Sequence, residues 1–426
     1  MTLWLNGLIL TVIGTAVTAL LGFLWQTTIG RSLGPQGFGE LSSAAIVVAL
    51  AASLASVGTG GFWLNIFGEK GVRALRWCKV TMQLVSLGTV IALAGVVLYS
   101  ASALSSPTEV NLLYILLPLV PAQAAMDLAY AVAQLKRDYA KVALLQVSAN
   151  ALRFVALGIF VFVTGFTQLT VAGVAACMAI AAGACFLIAS ANLTQSRLKS
   201  LRGVRAMRVP DRSVSMLETP SARGVLTKSW PFAAVGLFYS IYYQIDIVMV
   251  SRIQGGQEAG LYSAGFVAMS AIYLIPAAVF QRLLLPAVQK WSFHNPHLYK
   301  RMFLHVSIAM FFAGIVAASL LCAFSDRIVG LCFGSEFQGT ARLLDTLALA
   351  VPFHFASFSL GIVLASGKFI RRKLAIVAAG ACLNVGLNLW LIPQFGGVGA
   401  AYATVATEVV VLLLLLVAGW RVVVPR

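Results

Sequence analysis

Charge is scarce in this chain. Only 10% of its 426 residues are Asp, Glu, Lys or Arg, against about 25% in ordinary soluble domains. By contrast, 60% are hydrophobic and the mean hydropathy is +0.93, which excludes a soluble fold. Acidic residues are the scarcer kind, 13 against 30 basic ones, for a formal net charge of +17. In a soluble chain that excess would point to nucleic acid; in one this apolar it reads as membrane topology, and no nucleic-acid partner is expected. Cysteine is sparse too. Cys78, Cys177, Cys185, Cys322, Cys332 and Cys382 are scattered, mostly inside apolar runs, with no CxxC pair and no histidine at metal spacing. They are assigned to packing, and neither a metal nor a cofactor is expected.

The signatures of catalysis are also missing. No two acidic residues stand at i and i+2, there is no HExxH, and the longest outer loop expected is about 16 residues, so an enzyme is not expected. An ATP-driven transporter would need GxxxxGK followed by Ser or Thr, whose backbone N–H groups cradle the phosphates. The nearest approach, Gly361 to Gly367-Lys368-Phe369, fails in spacing and hydroxyl.

What the chain does have is long apolar runs. A helix needs about 20 such residues to cross the hydrocarbon, and only helices or closed barrels satisfy their own backbone there. Long runs rather than ten-residue alternation select helices. Twelve spans are expected, at about 7 to 29, 38 to 60, 79 to 101, 111 to 134, 140 to 163, 167 to 191, 228 to 250, 260 to 281, 302 to 324, 341 to 366, 374 to 393 and 397 to 420. The first lacks a basic leader and a small-residue cleavage site, and is kept as a span. With these spans, 25 of the 30 Lys and Arg fall on one side, Arg31, Arg252, Arg327 and Arg342 on the other, and Arg153 inside the fifth span. Short basic loops stay cytoplasmic, so both ends of the sequence are expected there.

The longest and most basic break, residues 192–227, divides the chain into a first six-helix bundle, 1–191, and a second, 228–426. In it Lys199, Arg202, Arg205 and Arg208 recur every third residue beside Leu198, Leu201, Val204 and Met207. This pattern fits a basic amphipathic helix on the cytoplasmic leaflet, or a solvated linker. Arg31, Gly34, Gln36, Gly39 and Ser42 recur 221 residues later as Arg252, Gly255, Gln257, Gly260 and Ser263, which suggests duplication. Six spans per half make the repeats parallel, related by a pseudo-twofold along the membrane normal, with a central cavity between them.

The stretch Gly30-Arg31-Ser32-Leu33-Gly34-Pro35-Gln36-Gly37-Phe38-Gly39 resembles the A-R-x-L-G-P-x-x-F-G signature of the polysaccharide biosynthesis family, the Wzx-type flippases, and departs only at Gly30. Near the other end, Leu383-Asn384, Asn388, Leu391-Ile392-Pro393, Gly396, Gly399-Ala400-Ala401, Ala403-Thr404 and Glu408 resemble the same family's L-N-x-x-x-N-x-x-L-I-P-x-x-G-x-x-G-A-A-x-A-T run. The resemblance implies the multidrug/oligosaccharidyl-lipid/polysaccharide exporter superfamily: two six-helix bundles and alternating access. It also implies a lipid-linked oligosaccharide as substrate in a bacterial cytoplasmic membrane, with membrane lipids, a polysaccharide polymerase and other assembly proteins as partners. The alternatives are a cation-coupled drug antiporter of the same superfamily, or a membrane scaffold.

Ionisable groups deep in a span are costly, about 2.5 to 3.5 kcal/mol at the bilayer centre on insertion scales, so they usually face a cavity. Arg153, preceded by Gln146 and Asn150 on one helical stripe, is the candidate for holding a phosphate, because a guanidinium fork binds phosphate oxygens bidentately; pairing with Asp127 is the competing role. Arg31 and the aromatic faces of Tyr239 and Tyr242, with Gln244, are further substrate-binding candidates. Asp127, with Gln123 one turn earlier, and Asp246 are candidates for carrying protons or sodium, Asp246 having an ion pair with Arg252 as its alternative. Asn384 and Asn388 read mainly as packing, and Glu408 and His354 rank lowest.

Overall fold

The computed structural model describes residues 2–103, 106–165, 169–194, 201, 220–279, 296–361 and 370–423. Among these residues every regular element is a helix. They are α1 Thr2–Ala55, α2 Thr59–Lys70, α3 Leu75–Ala103, α4 Pro107–Leu116, α5 Leu119–Leu135, α6 Tyr139–Thr164, α7 Val171–Asn192, α8 Ala222–Gln254, α9 Gly256–Val279, α10 Pro296–Cys332, α11 Thr340–Ala348, α12 Val351–Gly361 and α13 Ile370–Val423. The basic amphipathic segment expected around 197–208 lies outside the described residues.

The surface explains why these helices need lipid. Phe162 is 92% exposed and Leu98, Leu144 and Leu187 are each 69% exposed. Side chains of that kind along whole helices make a surface water would not tolerate, whereas a bilayer accepts it and leaves each helix to satisfy its own backbone. Helix hydroxyls follow the same rule by bonding back one turn: Thr18 Oγ1 donates to the Gly14 carbonyl at 2.7 Å and the buried Thr407 Oγ1 to that of Ala403 at 2.7 Å.

Among the described residues seven helical stretches are long and apolar enough to cross a membrane, or eight if α11 and α12, bent by 46°, form one span. Twelve were expected, and several expected spans lie end to end within one stretch: Leu10–Ser102 covers the first three, and α13 the last two. α1 and α13, 54 residues each, are each two helices meeting at an internal break. A straight helix of that length would reach about 80 Å at 1.5 Å per residue, far beyond a hydrocarbon core of about 30 Å. The breaks sit at Gly34 (φ 66°) and Gly396 (φ 60°), a backbone region glycine enters without steric cost. Gly34 falls within the turn expected from the sequence, with Pro35 opening the next helical segment.

The chain forms two compact units. The first comprises Met1–Leu21 and Ala44–Leu237, the second Gly22–Ser43 and Phe238–Arg426. In the first, α5, α6 and α7 close over Ala125, Met126, Ala129, Val142, Leu145, Cys185 and Ala189, and the Tyr130 hydroxyl donates to the Leu145 carbonyl at 3.0 Å. Asp138 caps α6 through the Lys141 N–H and Thr170 caps α7 through the Gly173 N–H, both at 3.1 Å.

In the second unit the two copies of the repeated segment pack against each other. A Cβ at Gly39 would run into the backbone of Gly256 and Gly260, and one at Gly260 into the carbonyl of Pro35. Gly34 and Gly255, equivalent in the repeat, both have positive φ, 66° and 94°. The recurring glycines therefore have a physical reason: one lets the backbone turn at each copy, the other lets the two backbones meet. Phe38 packs its ring on Phe333 and Phe337, centroids 6.0 and 6.2 Å apart. At Gly30 a Cβ would lie 2.8 Å from the Phe333 ring, so this chain's departure from the usual alanine follows from the phenylalanine beside it.

Candidate functional site

Two groups of buried polar side chains stand out, one in each unit. The first is the stripe on α6. Helical spacing puts Gln146, Asn150 and Arg153 on one face, and that face meets the start of α1. A Cβ at Gly14 would come 2.6 Å from the Ala143 Cβ, so the two helices are in tight contact there. The Thr15 hydroxyl lies 3.3 Å from Gln146 Oε1, and Asn150 Nδ2 donates to the Thr18 carbonyl at 3.0 Å. Two of the three stripe residues are therefore partly engaged in holding α1 to α6. Arg153 is half-buried and donates from Nη1 to Asn150 Oδ1 at 3.3 Å. It meets no carboxylate among the described residues, which leaves most of a five-donor fork available.

Asp127, its anticipated partner, is held elsewhere: Gln123 Nε2 donates to it at 3.0 Å, and the Ser56 hydroxyl faces the same carboxylate. The structure thus brings Arg153 together with Asn150 but not with Asp127.

The second group surrounds Asp246 on α8, which is 2% exposed. Its Oδ1 accepts from Asn388 Nδ2 at 2.6 Å, and its Oδ2 accepts from the hydroxyls of Thr404 at 2.7 Å and Tyr262 at 2.9 Å. Asn388 also donates to Asn384 Oδ1 at 3.0 Å. Asn384 and Asn388 are each 0% exposed, the Asn384 side chain also faces the Asp246 carboxylate, and Asn388 Oδ1 has no hydrogen-bond partner among the described residues. The hydrogen bonds of Asp246 go to α9 and α13, so the carboxylate belongs to this nest. One carboxylate, two amides and two hydroxyls within hydrogen-bond reach of one another form a set of hard oxygen donors with a single formal charge, the chemistry that suits a small monovalent cation.

The remaining candidates lie apart. Tyr239 is 43% exposed and stacks on Tyr243, centroids 5.7 Å and planes 11° apart, while Tyr242 is buried. Arg31 caps the end of α10: its Nη2 donates to the Leu331 carbonyl at 2.5 Å and lies 3.4 Å from that of Gly330, where the helix C-terminus attracts a cation.

Sequence reasoning missed Thr404 and Tyr262 as partners of Asp246 and gave the two asparagines to packing. The signal was present as i, i+4 pairs, Asn384 with Asn388 and Thr404 with Glu408, inside the second family motif. Nothing in the sequence said that these faces meet α8.

The polysaccharide biosynthesis protein family signature matches residues 4–292. The chain belongs to that family. It is 27% identical over 170 residues to the probable low-salt glycan biosynthesis flippase Agl15 of Haloferax volcanii, a match covering 40% of this chain and 35% of that one. Among solved structures its fold is similar to the lipid II flippase MurJ in an inward closed conformation, with a TM-score of 0.73, 16% identity, and coverage of 96% of this chain and 87% of that one. It is also similar to a multidrug resistance MATE family transporter of the MOP superfamily in an inward-facing conformation, with a TM-score of 0.68, 15% identity, and coverage of 95% and 94%. These likenesses establish an all-helical, multi-pass membrane protein with the fold of MOP transporters. This family member spans well under half the length of its curated relative.

Proposed function

We propose that this protein is a flippase that carries a lipid-linked oligosaccharide, with a polyprenyl diphosphate as the anionic group, from the cytoplasmic to the outer leaflet by alternating access, for assembly of a surface polysaccharide. The observation that carries this reading is Arg153, a guanidinium at mid-helix in an apolar segment with no carboxylate partner among the described residues. An unpaired arginine at membrane depth is costly unless an anion meets it, and a diphosphate supplies oxygens in the geometry of its fork. Asn150 and Gln146 position it. Family membership and the likeness to the probable glycan biosynthesis flippase of Haloferax volcanii support the same substrate class.

In this reading residues 1–191 and 228–426 are the two transport bundles, joined by 192–227, in a cytoplasmic membrane with both ends of the chain cytoplasmic. Arg31, Tyr239 and Tyr242 would assist substrate passage, and the polymerase that extends the oligosaccharide would be the downstream partner. The Asp246 nest and Asp127 would serve ion coupling, with the nest's donor set favouring sodium.

The test is leaflet-resolved labelling of lipid-linked oligosaccharide in cells lacking the gene, complemented with wild type, Arg153→Lys or Arg153→Ala. The expected result is substrate accumulating on the cytoplasmic leaflet, cleared by wild type and not by Arg153→Ala. Normal outward delivery without the gene would overturn the flippase reading and favour a cation-coupled drug antiporter, for which the acidic second unit and the fold likeness to the MATE transporter speak.

A further inference from the structure

One helical turn from the Asp246 nest lies a second buried pair that the transport reading leaves unused. Glu408 follows Thr404 by four residues on α13, and Tyr242 precedes Asp246 by four on α8, so both belong to the neighbouring layer of the same helices. His354, on α12, places Nδ1 2.8 Å from Glu408 Oε1. The two residues are 7% and 2% exposed. The imidazole stacks on Tyr273, with centroids 3.8 Å and planes 14° apart. Around them lies an apolar cluster including Leu360, Val411 and Leu415. Glu408 Oε2 is buried and has no hydrogen-bond partner among the described residues.

A carboxylate and an imidazole shut together in apolar surroundings are stable as a pair when one proton lies between them. Without that proton a lone negative charge stays buried, which is costly. With it the pair is neutral overall, either as acid and imidazole or as carboxylate and imidazolium. The titratable groups facing the pair are Tyr239, Tyr242 and Tyr243 from α8 and Tyr273 from α9, with Asp246 and Tyr262 in the neighbouring nest. Apart from Asp246 these are phenols, and no lysine or arginine among the described residues bonds to the pair. Among the described residues no ion pair other than the one with His354 is formed by Glu408, and a cation in the nest would supply the compensating positive charge.

We propose that His354 and Glu408 form a proton-binding site whose occupancy opposes that of a cation at Asp246. It rests on the reading of Asp246 as a cation site. A cation entering the nest stabilises the deprotonated pair one turn away, so the proton leaves to solvent and net charge is conserved across the two layers. Linkage makes the effect reciprocal: a proton on the pair weakens the cation site by the same factor.

The experiment uses the full chain in detergent with sodium as the probe, choline as control, and wild type, His354→Gln, Glu408→Gln and Asp246→Asn side by side. Isotopic sodium binding is measured from pH 6 to 8, and proton release on sodium addition is read with an indicator dye in weak buffer. Infrared pH-difference spectra follow the pair directly. Wild type should bind sodium about tenfold more tightly at pH 8 than at pH 6 and release a proton on binding. His354→Gln and Glu408→Gln should keep sodium binding while its pH dependence falls below about twofold, and each should lose the titrating infrared band. Either variant alone suffices if the other does not fold. Proton release and infrared bands unchanged in both would show a structural hydrogen bond and overturn the inference. If Asp246→Asn binds sodium as wild type does, the cation reading of the nest fails, and the infrared spectra still decide the proton site.

Discussion

In the first unit Asp127 is held by Gln123 on its own helix, while Arg153 is half-buried, spends one N–H on Asn150 and meets no carboxylate among the described residues. In the second the charged groups are acidic, Asp246 and Glu408, each 2% exposed and held by neighbours on other helices. One arrangement is sparse and half open, the other closed and densely bonded. A sparsely bonded cation keeps its donors for something that arrives, whereas an acidic group wrapped in amides and hydroxyls is organised around something small. The contrast is the one the proposed function draws on, with its anionic substrate at Arg153 and its small cation at Asp246.

The contrast should show first in stability. Asp246→Ala takes a bond each from Tyr262, Thr404 and Asn388 and leaves a cavity in a buried polar site, where an unsatisfied group costs about 1 to 3 kcal/mol. A loss of about 3 kcal/mol or more is expected, seen as a large fall in the thermal midpoint of the detergent-purified protein. Asp246→Asn, which keeps the shape, should lose far less stability while losing sodium binding. If Asp246→Ala melts like wild type, the nest is not the rigid centre described above.

Next in size is the glycine contact within the second unit. Gly39→Val or Gly260→Val sets a side chain against backbone, at Gly256 or at Pro35, where nothing flexible can yield. Overpacking of this kind costs about 3 kcal/mol, and folded yield should drop. Gly68→Ala, in the first unit with nothing within 4 Å of its Cβ, should be neutral in the same assay. Equal effects would sink the claim that the repeated glycines are there for close approach.

Arg153 sharpens the functional side of the comparison. A charge-assisted hydrogen bond contributes about 1.5 to 3 kcal/mol, so Arg153→Ala should slow flipping by about 10- to 100-fold at little cost in stability. Lysine, a point charge without the fork, should restore only part of that. Full activity in Arg153→Lys would mean that charge alone matters and that no bidentate phosphate contact is made.

Much of this was legible in the sequence because it is local. Apolar runs mark helices, and Gly34 with Pro35 marks a break whatever surrounds it. The stripe of Gln146, Asn150 and Arg153 is a matter of helical period alone. What could not be read was which faces meet. Asn384 and Asn388 look like packing residues until α8 is beside them, and Glu408 was ranked low because its partner His354 lies 54 residues away on another helix. The expected spans divide α1 and α13 near Gly34 and Gly396, where the backbone leaves helical geometry.

Arg31 offers the smallest effect and a check on how the family motif is read. It was a substrate-binding candidate from sequence, yet its guanidinium reaches the last carbonyls of α10, at Leu331 and Gly330, on an exposed surface. A cation at a helix C-terminus contributes about 0.3 to 1 kcal/mol, and salt screens it. Arg31→Ala should therefore lower the thermal midpoint slightly, with the difference shrinking in high salt, and Arg31→Lys should recover most of it because no bidentate geometry is needed there. If flipping falls in Arg31→Ala as far as in Arg153→Ala while stability is unchanged, Arg31 acts on the substrate, and the anionic path extends into the second unit.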